Sequence, residues 1–258
     1  MVRKIRRITG TFLDEITWDI GSQNWGHGDW KQCFDAMAFI GIDTVIIIRG
    51  GLRDQAVFPS EVVGNSGDPD LARLFLDEAE ARGMRLFFGT YDSALWTLGD
   101  ASIDDEITMN VRFIDEVLSR YGGHPALRGW YITQEVSSNH SGVRKLFLSL
   151  AGYLKQKTPG LPTLISPFYP GKMLGKPHYL PPDEFGRSWR QILDGLTSLI
   201  DVMAFQDGTA SNDEFVDFLA EAKSVGEECG VEFWNNQETF DRGLSYHFPP
   251  RDIRVLTK

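Results

Sequence analysis

The chain has 258 residues, of which 42% are apolar and 24% charged, a globular balance that excludes a disordered or fibrous protein. Acidic residues outnumber basic ones, 36 to 26, and the formal charge is −10. A nucleic-acid binder needs a basic footprint to displace counterions, and this composition does not provide one.

Short apolar runs alternate with amphipathic segments along the whole chain. Residues 8–13 read as a first strand that ends in Asp14 and Glu15. A helical pattern over 30–40 is closed by Gly41 as a C-cap. Residues 44–48 are β-branched and apolar on both faces, the mark of a buried parallel strand. Asp68 and Pro69 open a second helix that runs to Arg82–Gly83, and 84–88 form a third strand. A helix over 103–121, a strand over 127–132, a helix over 142–157 and a strand over 162–166 follow. A loop rich in Pro, Gly and Tyr leads to a mostly helical stretch over 183–199. The sixth strand is 201–205, the next helix 213–229, and the seventh strand 231–234.

Seven βα repeats without a break in composition predict one α/β domain over 1–258 with a parallel sheet. A length near 250 residues suits a single barrel. The glycines at Gly26 and Gly28 lack the third member of a dinucleotide fingerprint, and no phosphate-binding P-loop occurs. The expected architecture is therefore a TIM-type (β/α) barrel. About 20 residues follow the seventh strand, too few for a full eighth unit, so the barrel is expected to be incomplete at its C-terminus. Residues 249–253 look like the start of another helix.

Barrel enzymes carry their chemistry where the strands end. Those ends hold Asp14 and Glu15, then Arg49, then Tyr91 and Asp92, then Gln134 and Glu135. Tyr169 follows the fifth, Gln206 and Asp207 the sixth, and Asn235, Asn236, Gln237 and Glu238 the seventh. None of the five histidines, His27, His124, His140, His178 and His247, ends a strand, and Cys33 and Cys229 lie far apart. No metal site is expected from that pattern, nor any cofactor. A serine nucleophile would need its Gly-flanked elbow and a Schiff base a strand-end lysine, and neither occurs.

Carboxylate chemistry remains. Two glutamates across a cleft hydrolyse a glycoside when one protonates the leaving oxygen and the other attacks the anomeric carbon or activates water. Glu135 and Glu238 end strands four and seven, roughly opposite in a barrel, and Asn235, Asn236 and Gln237 offer donors beside the second. Arg49 either holds the nucleophile ionised or forms a salt bridge at the rim. Glu15 and Asp92 either bind sugar hydroxyls or bridge to Arg49. Gln134, Gln206 and Asn236 are candidate sugar ligands, and Tyr91, Tyr169 and Trp234 candidate stacking or hydrogen-bonding partners. Trp18, Trp25 and Trp96 would widen that platform, while Trp130 and Trp189 fit the core. Asn139–Ser141 matches a glycosylation sequon.

Glu135 after Gly129-Trp130-Tyr131-Ile132-Thr133-Gln134, with Glu238 after Phe233-Trp234-Asn235-Asn236-Gln237, resembles the clan of retaining barrel glycosidases, clan GH-A. The segments 9–15, 24–25 and 41–46 are similar to a bacterial domain-of-unknown-function family related to those enzymes. The resemblance implies that Glu135 is the acid/base and Glu238 the nucleophile, with carboxyls about 5 Å apart and net retention. The clan carries Asn before its acid/base, where this chain has Gln134.

The expected function is hydrolysis of an oligo- or polysaccharide without metal or nucleotide. The rivals are a non-catalytic carbohydrate-binding barrel and a carboxylate-dependent lyase or transglycosylase. No run of about 18 apolar residues occurs, so no membrane span is expected. The basic start, Met1 to Arg7, has no apolar region after it. As given, the chain reads as cytoplasmic, or as secreted or periplasmic should a leader have been removed. Its assembly state is not legible.

Overall fold

A computed structural model describes residues 8–16, 21–22, 24–64, 70–137, 142–240 and 250. The chain forms two compact units, Met1–Thr133 with Lys145–Thr163, and Gln134–Arg144 with Leu164–Lys258.

The first unit is built from β1 (Gly10–Leu13), α1 (His27–Ile40), β2 (Thr44–Ile47), α2 (Leu71–Ala81), β3 (Arg85–Gly89), α3 (Asp100–Tyr121) and β4 (Leu127–Ile132). It also takes α4 (Val143–Lys157) from Lys145 onward. Its four strands lie in chain order and pair in parallel, with Thr11 opposite Val45, Val45 opposite Leu86 and Phe88 opposite Trp130. All four residues of β2 are buried, which is why its sequence is apolar on both faces. Gly41 closes α1 at φ 91°, a left-handed position that its missing side chain allows. Asp70 caps α2 by accepting the Arg73 N–H at 2.9 Å. The start expected for this helix, at Asp68 and Pro69, lies outside the described residues. The core joins Trp30, Phe34 and Phe75 in one aromatic cluster, and Phe58, Phe88, Phe113 and Tyr121 in another.

A feature without sequence warning is a small second sheet in which Gly51–Leu52 pairs with Gln55–Ala56 and with Tyr91–Asp92. Two-residue strands are too short to show a period.

The second unit contains β5 (Thr163–Ile165) from Leu164 onward, α5 (Pro182–Leu193), β6 (Val202–Gln206), α6 (Phe215–Cys229) and β7 (Glu232–Asn236). Its strands also follow chain order, with Ile165 opposite Met203 and Asn236 opposite Gln206. Helix α5 stops six residues before its expected end, because Asp194 turns to φ −56°, ψ 117°, outside the helical region. Arg190 ties α5 to α6 through Glu221 at 2.6 Å and through both oxygens of Glu228 at 2.7 and 2.8 Å. That paired contact with the guanidinium, together with Ser224, holds the Glu228 carboxyl down at about 2. Between helices and strands lies an aromatic cluster of Tyr169, Phe185, Trp189, Phe205 and Phe218, each fully buried.

Seven parallel strands alternating with helices are the TIM-type (β/α) barrel fold, and among the described residues no eighth parallel strand follows. Of the segment expected to open a further helix, only Pro250 is described, bridged to Phe240. Among the described residues no helix is long and apolar enough to cross a membrane.

Candidate active site

In the second unit the parallel register sets Gln206 beside Asn236 at the ends of β6 and β7, and paired positions on neighbouring strands point to the same face. Ser166, one residue beyond β5, ties these ends together. Its hydroxyl donates to the Ala204 carbonyl at 2.6 Å and accepts from Asn236 Nδ2 at 3.0 Å. Its own carbonyl accepts from Gln206 Nε2 at 2.7 Å. Both amides are thereby oriented by hydrogen bonds. Ser166 is a candidate site residue that the sequence hid, because it read as the last residue of an apolar strand.

Glu238 is buried, 5% exposed, two residues beyond the last paired residue of β7. Its backbone N–H donates to Asp207 Oδ1 at 2.8 Å. Its carboxylate lies directly against Gly208, where an added Cβ would overlap the carboxyl carbon and both oxygens. Glu135 belongs to the same unit and is half-buried, next to the buried Gln134. The following residue, Val136, accepts the Phe168 N–H at 3.0 Å, and Phe168 bridges in parallel to Gln206. Within this unit, main-chain pairing thus runs from Val136 through Phe168 and Gln206 to Asn236, joining the segments that carry Glu135 and Glu238.

Other expected sugar contacts sit differently. The Tyr169 ring stacks on Phe205 and Phe218 at 5.4 and 5.1 Å, meets Phe185 edge-on and is wholly buried. It packs the core rather than presenting a face to a sugar. Its hydroxyl has no hydrogen bond, and burial beside the Asp207 charge pushes its pKa well above the usual phenol range. A buried hydroxyl left without a partner costs about 1–3 kcal/mol. Tyr169→Phe is therefore expected to stabilise the protein by about 1 kcal/mol in urea unfolding and to leave KM unchanged. A severalfold rise in KM would return the phenol to substrate binding. Trp234 is half-buried, and its indole N–H donates to the Glu232 side chain at 2.8 Å.

In the first unit, Arg49 Nε donates to Asp92 Oδ2 at 3.2 Å, so of the two roles weighed for Arg49 an ion pair with Asp92 is present. The other Asp92 oxygen accepts from the Ala94 N–H and the Trp96 indole at 2.8 and 3.1 Å. Asp92 therefore anchors its own loop and buries Trp96. Tyr91 is also buried, with its hydroxyl donating to the Arg53 carbonyl at 2.9 Å. Glu15 accepts the Ser22 hydroxyl at 2.5 Å. Trp25 is 39% exposed and packs edge-on against Trp30. Trp18 and the sequon at 139–141 lie outside the described residues.

Among the described residues one group of donors, Asp77, Glu80 and His124, lies close enough together to share an ion. The donor set does not suit one. The Ala126 N–H points at His124 Nδ1, at 3.2 Å, which assigns the ring proton to Nε2, the nitrogen 3.0 Å from Asp77. A metal at Nε2 would have to displace that proton and break the Ala126 contact.

The sequence matches, over residues 8–258, the family described as "Domain of unknown function (DUF4434)". The chain belongs to that family. No curated protein matches it. Among solved structures, one from Bacteroides thetaiotaomicron, described as a "putative alpha-L-fucosidase", is 37% identical with a TM-score of 0.90, over 97% of this chain and 80% of that one. A β-galactosidase from Marinomonas ef1 shares 13% identity with a TM-score of 0.59, over 96% of this chain and 51% of that one. The intracellular xylanase of Thermoanaerobacterium saccharolyticum shares 13% with a TM-score of 0.53, over 87% and 70%. At 13% identity the last two show the fold alone. This member of the DUF4434 family thus has the barrel fold on which those glycoside hydrolases are built.

Proposed function

We propose that the protein hydrolyses glycosidic bonds with retention of anomeric configuration, using Glu238 as nucleophile and Glu135 as acid/base. The observation that carries this reading is the pair of strand-end glutamates in one unit, on segments joined by continuous main-chain pairing. In the same unit two strand-end amides, Gln206 and Asn236, are oriented by Ser166.

In the proposed reaction Glu135 protonates the glycosidic oxygen while the Glu238 carboxylate attacks the anomeric carbon, giving a covalent glycosyl-enzyme and a free leaving group. Glu135 then takes a proton from water, which displaces Glu238 from the sugar and restores both groups. Gln134, Gln206 and Asn236 are assigned to sugar hydroxyls, which amides match as donor and acceptor at once. Half-buried Trp234 is assigned to an apolar sugar face.

The names of the similar structures select the first probes: 4-nitrophenyl α-L-fucoside, β-galactoside and β-xyloside, then oligosaccharides. The test is proton NMR of the first-formed anomer, before mutarotation, from whichever probe is cleaved. Retention is the expected result. An inverted first product would remove the covalent route, and an unsaturated sugar would reveal a lyase.

A further inference from the structure

We infer that Asp207 and Gly208, the two residues after β6, form the positioning device for the Glu238 carboxylate: Asp207 fixes its backbone and Gly208 is its seat. This role presupposes that Glu238 is the nucleophile, and it assigns two residues that need touch no sugar.

The main-chain register of β6 and β7 ends at the pair Gln206 and Asn236, so the ladder holds nothing at Glu238. A glutamate beyond the ladder has three side-chain torsions to be set, whereas in-line attack needs its oxygen within about 3–3.5 Å of carbon and aligned. Two contacts remove that freedom. The Asp207 carboxylate accepts the Glu238 N–H at 2.8 Å in a buried setting, replacing the missing ladder bond by a side chain. The Glu238 carboxylate then occupies the volume beside Gly208 that any other residue would fill with its Cβ.

The glycine is not explained by its turn. The Ala210 N–H donates to the Asp207 carbonyl at 3.0 Å, which makes Gly208 the second residue of a four-residue turn. Its φ is not among the positive ones, so its backbone suits any amino acid. What needs glycine here is the space held by Glu238.

Stability tests this without a substrate. Gly208→Ala is expected to lower the melting temperature in the wild-type background, and to lower it far less in a Glu238→Ala background, where the clashing carboxylate is gone. An equal loss in both backgrounds would place the clash elsewhere and overturn the assignment. Kinetics on the best aryl glycoside then test the consequence. Gly208→Ala and Asp207→Ala are expected to lose about 100-fold in kcat with little change in KM, the cost of a misplacement near 1 Å. Asp207→Asn keeps an acceptor oxygen and is expected to recover most of what Asp207→Ala loses. If Asp207→Asn is as poor as Asp207→Ala, the charge and not the hydrogen bond matters, and positioning fails as the explanation. Should Glu238→Gln be inactive while Gly208→Ala and Asp207→Ala turn over normally, only the positioning role falls. Full activity in Glu238→Gln would sink the nucleophile and its seat together.

Discussion

Glu238→Gln is expected to abolish turnover of every glycoside that the wild type cleaves, because an amide cannot form the glycosyl ester through which the reaction runs. Glu135→Gln is expected to behave differently. General acid catalysis contributes about 10²–10⁴ in rate, and the loss should depend on the leaving group. With 4-nitrophenolate, which departs without a proton, the first step survives and the glycosyl-enzyme accumulates as a burst. With a sugar leaving group both steps fail. Azide added to Glu238→Gly should restore turnover and give a glycosyl azide of inverted configuration, because the small anion enters where the carboxylate stood. The two variants therefore carry different signatures, and circular dichroism should show both folded. Wild-type turnover in Glu135→Gln on a sugar leaving group would remove that residue from the mechanism.

The strands were legible because their burial is written in composition. Thr44 to Ile47 are buried on both faces and carry no polar alternation, and Gly41 marks the end of α1 as its left-handed φ requires. Strand ends were legible for the same reason, and with them the candidate residues Glu135, Gln206, Asn236 and Glu238. Side-chain direction beyond the last paired residue was not. Tyr169 and Gln206 both follow or end apolar runs, yet one turns into the helix layer and the other bonds across the strand ends to Ser166. Past the ladder the period of two no longer fixes which face a residue takes. Partners distant in sequence were hidden as well. Arg49 has several acids to choose from in the sequence, and only the fold selects Asp92. Nothing in the sequence marks Gly208, and only the fold brings the carboxylate from the next strand end against it.

Phe205→Ala is expected to cost about 3–5 kcal/mol, the range for emptying a buried phenylalanine site, against a total near 5–15 kcal/mol for an ordinary domain. Phe205 has no exposure and sits at the centre of the aromatic cluster. Its ring centroid lies 5.4 Å from Tyr169, 5.1 Å from Phe185 and 5.2 Å from Trp189. Those neighbours come from the loop after β5 and from α5, so a cavity there loosens both segments from β6. Collapse is hindered because the lining rings are themselves fixed by further aromatic contacts, Tyr169 and Phe185 both meeting Phe218. Phe205→Leu should recover much of the loss by restoring volume. Phe39→Ala supplies the contrast: the same chemical change at a side chain 91% exposed should stay within about 0.5 kcal/mol. Urea unfolding of the three variants measures this directly. A loss below about 1 kcal/mol for Phe205→Ala would mean that the rings close over the gap. In that case the cluster could not be the rigid support on which Gln206, Asp207 and Gly208 are carried to Glu238.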